Sequence, residues 1–121
     1  MLVQGNTVAT SHSGLFGNEL EVWSAIWVAS NKYGTDFDTM WDLAKCESSL
    51  NPVARGDSGL AYGIFQWHQA SWNMYNKKFG LQLDRNSTKD QCEMTARVLF
   101  LSGGYRNWTN CFNTKVLADK L

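Results

Sequence analysis

The residue in this 121-residue chain most suited to chemistry is Glu47, within Cys46-Glu47-Ser48-Ser49-Leu50-Asn51-Pro52 and shortly before Tyr62-Gly63-Ile64-Phe65-Gln66-Trp67. Helical spacing places Glu47 one turn beyond the apolar Leu43 and Ala44, where a helix leaves the core. Desolvation against apolar neighbours raises a carboxyl pKa, and a carboxylic acid that keeps its proton near neutral pH can protonate a poor leaving group such as a glycosidic oxygen. Position alone equally admits a solvated glutamate near a helix C-terminus, where the helix dipole does not favour negative charge. Other schemes have less to stand on. The chain has no Gly-x-Ser-x-Gly elbow, P-loop or dinucleotide fingerprint, and nothing local pairs His12 or His68 with a cysteine as a protease would. Two distant histidines and three scattered cysteines lack the short spacing of a zinc site, so no metal or cofactor is expected.

The elements that must position Glu47 follow from periodicity and punctuation. Phe37, Met40, Trp41, Ala44 and Ser48 form one helix face, Asp36 can cap that helix, and Asn51-Pro52 stops it. Before it, Asn18 and Glu21 have capping spacing for a helix carrying Leu20, Trp23, Ile26 and Trp27 to Lys32, closed by Gly34. From Val53 to Phe65, Gly56, Gly59 and Gly63 break any helix, and Asp57-Ser58-Gly59 is turn chemistry, so a loop with one or two very short strands is expected. Ser71 is placed to cap a third helix holding Trp72, Tyr75 and Phe79, ended by Gly80. Thr88 and Gln91 have capping-box spacing for a fourth, with Cys92, Val98, Leu99 and Leu101 inward, before Gly103-Gly104. Tyr105 to Phe112 reads as an aromatic loop and Thr114 to Lys120 as a last short helix. Residues 1–17, rich in Gly, Ser, Thr and Asn, read as a loosely held arm. The expected fold is a mainly α (α+β) single domain over 18–121, with a small irregular or β element after the second helix.

The totals narrow the function. An apolar content of 44% and a charged content of 18% are those of a globular domain. Six Trp, six Phe and four Tyr suit either a Trp-rich core or a groove that stacks on sugar rings. Eleven basic and eleven acidic residues cancel, which removes the electrostatic case for nucleic acid or an anionic membrane. No apolar run approaches the roughly 18 residues of a spanning helix, so membrane insertion is not expected, and no signal peptide is visible. Export would then need a removed leader, a holin-like route or delivery inside a larger particle. Among Cys46, Cys92 and Cys111, a Cys92–Cys111 disulfide would tie the fourth helix to the loop after it, leaving Cys46 as a buried small hydrophobe.

The run Glu47-Ser48-Ser49-Leu50-Asn51-Pro52, then Ala54, Ser58, Ala61 and Gly63-Ile64-Phe65-Gln66, resembles the signature of soluble lytic transglycosylases, with about one extra residue in its middle. Gly56 to Gln66 is also similar to the corresponding stretch of goose-type lysozymes, a related branch of the lysozyme-like superfamily. The likeness covers residues 46–67, with a weaker echo in Gly103-Gly104-Tyr105-Arg106-Asn107-Trp108. It implies a lysozyme-like fold and cleavage, by a monomer acting at the bacterial cell wall, of the β-1,4 bond between N-acetylmuramic acid and N-acetylglucosamine in peptidoglycan glycan strands. Glu47 would be the catalytic acid and then the base that draws a proton from the sugar's own 6-hydroxyl, leaving 1,6-anhydro ends without a second carboxylate. The goose-type likeness brings Asp57 onto a second carboxylate position, which keeps a hydrolase open, although Asp-Ser-Gly is also ordinary turn sequence. His68 departs from that branch, which has an Asp there. Ser58 and Gln66 match positions near the cleft, and Tyr62, Trp67, Tyr105 and Trp108 are candidates to border the glycan; turn bonding and plain packing are the competing readings. A reading of another class is a glycan-binding or virion-structural module that kept the fold and lost turnover.

Overall fold

The computed structural model describes residues 18–121; the arm expected at 1–17 lies outside the described residues. The chain runs through α1 (Asn18–Tyr33) and α2 (Phe37–Ser48) into three two-residue strands, β1 (Arg55–Gly56), β2 (Ala61–Tyr62) and β3 (Trp67–His68). It continues as α3 (Gln69–Phe79), α4 (Thr88–Phe100), a 3-10 turn (Gly104–Trp108), α5 (Thr109–Phe112) and α6 (Lys115–Ala118). The strands form one antiparallel sheet in chain order, with Arg55 opposite Tyr62 and Tyr62 opposite Trp67. The fold is therefore mainly α with a small β element after the second helix, as the glycine punctuation implied.

One hydrophobic core joins these elements. α1 contributes Val22, Ile26 and Ala29, and α2 contributes Met40, Leu43 and Ala44. The buried residues of α4 are Cys92, Met94, Ala96 and Val98, together with the polar Gln91 and Thr95. Asp36 caps α2, accepting from the Thr39 backbone N–H at 2.9 Å.

Gln91, which the sequence reading treated only as a capping partner, anchors the β element to α4. Its side-chain carbonyl accepts from the Phe65 N–H at 3.0 Å, and its amide donates to the carbonyls of Tyr62 and Arg85 at 2.8 and 2.9 Å. Gly63 makes this approach feasible: it sits at φ +89, and a Cβ there would fall on the Gln91 amide. Gln91→Met keeps the approximate length and leaves three backbone polar groups without their partner. Burying such groups unpaired costs about 1–3 kcal/mol each before relaxation, so a net loss of about 3 kcal/mol is expected in urea denaturation.

Four local expectations need correction. α3 begins at Gln69, not after Ser71; His68 takes the cap position without a side-chain cap bond, because its imidazole is engaged by Asp57. At α4 the cap is Ser87, which accepts from the Asp90 N–H, and Thr88 is already helical. The stretch 105–112 is not a loop but a 3-10 turn running into α5. Finally, the disulfide joins Cys46 to Cys111, with Cα atoms 6.0 Å apart, not Cys92 to Cys111. The physical reason is that Cys92 faces into the core from α4 and is fully buried, whereas α5 packs against the end of α2. Cys92 fills the buried, small-hydrophobe role expected of Cys46, and burial pushes its thiol pKa up.

Candidate active site

Glu47 continues the Met40, Leu43, Ala44 stripe by one helical step and occupies the last turn of α2. Its neighbour Ser48 fixes that turn against the β element: the hydroxyl lies 3.0 Å from the Ala44 carbonyl and 2.8 Å from that of Ile64, sharing its single proton between them. Ser49 and Leu50 then take left-handed conformations, φ 53 and 64, and turn the chain away before Pro52. The helix thus ends on its acid, with the β element folded back across it.

A cleft of about 440 Å³ opens beside that acid, inside the range of about 300–1,000 Å³ usual for ligand sites. One wall is Glu47 with Asp57, Gln66 and His68 from the β element; the other is Asn107, Thr109 and Asn110, with the Cys46–Cys111 disulfide and Trp108 between. A smaller recess of about 40 Å³ extends it past Gln66, His68, Ser71 and Asn107. The lining is mostly polar, as a surface that hydrogen-bonds a hydroxylated ligand would be.

The Glu47 carboxyl is half-buried, and its pKa is pushed up to about 7, first by desolvation and then by the charge of Asp57. No hydrogen bond from a described residue stabilises its charged form. Glu47 therefore holds its proton through the mildly acidic range and up to neutrality. Asp57 itself is mostly exposed and is bound by His68, whose Nε2 lies 2.7 Å from Asp57 Oδ2. A carboxylate oxygen only accepts, so Nε2 carries the proton of that bond. Among the described residues no three His, Cys, Asp or Glu side chains gather as metal ligands would.

Backbone strain is concentrated here. Among the described residues, the non-glycine positions with positive φ are Ser49, Leu50, Asp57, Ser58 and Gln66, all in the segment that shapes the cleft. Left-handed conformations cost such residues about 1–2 kcal/mol each and persist where the surroundings hold them. For Gln66 the hold is explicit: its side-chain amide donates to the carbonyls of Ala54 and Gly63 at 3.0 and 2.9 Å. A Cβ at Gly56 would collide with the Gln66 side-chain carbonyl, so that neighbour is a glycine for reasons of space.

Of the residues expected at the site, Glu47, Asp57, Gln66 and Trp108 come together at this cleft. Trp67 and Trp108 do not offer their faces to a ligand. They are 3% and 4% exposed, pack edge to face at 5.2 Å and spend their indole N–H groups on Thr95 and the Phe65 carbonyl. Trp67 touches only the small recess, while Trp108 supplies an edge to the main cleft. Tyr62 and Ser58 are not among the residues lining the main cleft. The Tyr62 ring is covered by the Arg55 and Arg85 guanidinium groups at 4.7 and 5.6 Å, and Ser58 stands exposed in the Asp57–Gly59 turn. Tyr105 is elsewhere: it packs on Phe112 and lines a separate depression of about 420 Å³ beside Gly34, Thr35, Leu99 and Phe100. The Gly103-Gly104-Tyr105 segment turns it there, while Trp108, three residues on, points to the core.

Asn107, Thr109, Asn110 and the disulfide are walls of the cleft that the sequence did not announce. Asn107 to Cys111 alternates polar residues with Trp108 and Cys111, which face inward three residues apart; that helical spacing was the available signal, hidden by reading the stretch as a loop. Comparison with protein-family models, curated proteins and solved structures finds no match to this chain.

Proposed function

We propose that this protein cleaves peptidoglycan glycan strands at the β-1,4 bond between N-acetylmuramic acid and N-acetylglucosamine, with Glu47 as the general acid. The observation that carries the reading is a carboxyl held protonated to about pH 7 on the wall of a polar cleft. The short-motif likeness to soluble lytic transglycosylases around Glu47-Ser48 and Gly63 to Gln66 points to the same bond. Glu47 gives its proton to the departing oxygen as the bond to the anomeric carbon breaks. In the transglycosylase route the muramyl 6-hydroxyl then closes on that carbon and returns a proton to Glu47, leaving a 1,6-anhydro end. A second reading, hydrolysis by water, is favoured by one observation: Asp57 shares the cleft. Action at the cell wall goes with this proposal, and an oxidising compartment there would suit the disulfide. No described helix is long and apolar enough to cross a membrane.

The test is digestion of purified peptidoglycan followed by mass spectrometry of the released fragments across pH. New ends on the muramic acid residue are expected, with the rate falling about tenfold per pH unit above about 7 as Glu47 loses its proton. Sedimentation of the protein with walls, without released fragments at any pH, would move the assignment to a glycan-binding module.

A further inference from the structure

We infer that His68 is a positioning residue that holds Asp57 as the base for water, and that the pair sets how turnover divides between hydrolysis and anhydro-ring formation. The inference rests on the glycan-cleaving reading and specifies its second route. Three observations meet here. Asp57 and His68 both line the cleft that holds Glu47. They are joined at 2.7 Å although the side chains are 68% and 43% exposed, so the contact is made in the open, where packing does not force it. Asp57 is also held at φ 49 and Ser58 at φ 59, conformations that an Asp-Ser pair adopts at some cost, in the same turn that presents this carboxylate to the imidazole.

A carboxylate on so exposed a turn would otherwise sample several rotamers. The bond from Nε2–H fixes one oxygen, Oδ2, and leaves Oδ1 to accept a proton from water. The step balances without a further reagent. Water oxygen bonds to the anomeric carbon while the glycosidic carbon–oxygen bond breaks; the leaving oxygen takes the proton of Glu47, and the attacking water gives one proton to Asp57. The products are a reducing end and a free 4-hydroxyl, and exchange with solvent resets both carboxyls. When Asp57 is not in place, the sugar's own 6-hydroxyl is the remaining nucleophile, and Glu47 alone serves that route.

The test is the ratio of reducing to 1,6-anhydro ends formed from peptidoglycan in water enriched in oxygen-18, which labels only the hydrolytic product. The wild type is expected to give labelled reducing ends. His68→Ala and Asp57→Asn are each expected to lower the ratio at least about tenfold, the scale of a lost acid–base group. The double variant should lower it no further, since the residues act as one unit. His68→Gln, whose amide nitrogen reaches about as far as Nε2 and also donates, should restore most of it and guards against a folding defect in the alanine variant. A purely structural role would change total rate and leave the ratio alone. A wild type yielding only anhydro ends, or a ratio unmoved by His68→Ala, overturns the inference while glycan cleavage stands. Absence of any cleavage overturns the reading beneath it as well.

Discussion

Glu47→Gln is expected to reduce release of peptidoglycan fragments by about 10²–10⁴-fold, the contribution usual for a positioned general acid. The amide is nearly isosteric and hydrogen-bonds, but it has no proton to give, so substrate binding should survive while turnover does not. The same substitution should make the fold more stable at alkaline pH. Below about pH 4.5, the ordinary value for this side chain, the carboxyl is protonated in the folded and unfolded chain alike and costs nothing. Between there and about 7 the unfolded chain gives up its proton and the folded chain does not, so stability falls as pH rises. Above about 7 the folded chain carries a poorly solvated charge, at a penalty that solvent screening of the partly exposed carboxyl holds to about 1–2 kcal/mol. Gln has no such penalty. Thermal unfolding followed by circular dichroism should therefore show Glu47→Gln melting about 5 °C above the wild type at pH 9 and close to it at pH 4. Equal melting at both pH values would mean that the carboxyl is not shielded. A catalytic group that costs the fold stability is what an acid tuned by burial requires.

Loss of the Cys46–Cys111 disulfide should have the largest effect on stability. The bridge spans 65 residues of sequence, and removing a cross-link over such a loop costs on the order of 4 kcal/mol in the chain-entropy account. For a domain of this size that is a fall of roughly 15 °C in melting temperature, measured for the double variant Cys46→Ala/Cys111→Ala. Activity should fall more steeply with temperature than for the wild type, because the bridge joins the helix turn that carries Glu47 to the wall that carries Asn107 and Asn110. Cys92→Ala should change the redox behaviour little, since that thiol is fully buried and unpaired. If reduction left the melting temperature within a degree or two, the two walls would be held by packing alone.

What the sequence made legible depended on how local the determinants were. α2 and its cap at Asp36 could be read because capping, apolar spacing and the proline stop all lie between Asp36 and Pro52. Glu47 followed from that helix, since the 40, 43, 44, 47 spacing puts the acid where the stripe meets the surface. The β element was legible as an interruption, because glycines at 56, 59 and 63 preclude a helix; its three-strand register was not, because that is fixed by Gln91 from a helix 26 residues beyond Phe65. The disulfide escaped for the same reason. Which cysteine meets Cys111 depends on α5 packing on α2, a contact between segments 65 residues apart that no spacing rule encodes. The aromatics were misplaced because Trp67 and Trp108 have the composition of a sugar platform, yet they pack edge to face in the core and bond their N–H groups to Thr95 and the Phe65 carbonyl, leaving only an edge of Trp108 in the cleft of Glu47. His68 stood out only as a mismatch to the goose-type pattern, and its partner became visible once β3 brought it beside the Asp57 turn.

A general acid at Glu47 must keep its proton up to neutral pH. Carbon-13 NMR titration of the glutamate side-chain carboxyl carbons measures this, with Glu47→Gln identifying the resonance that belongs to this residue. A midpoint near 7 is predicted; a midpoint near the ordinary 4.5 would instead make Glu47 an ionised surface carboxylate with no proton to donate, and glycan cleavage by this acid would fall.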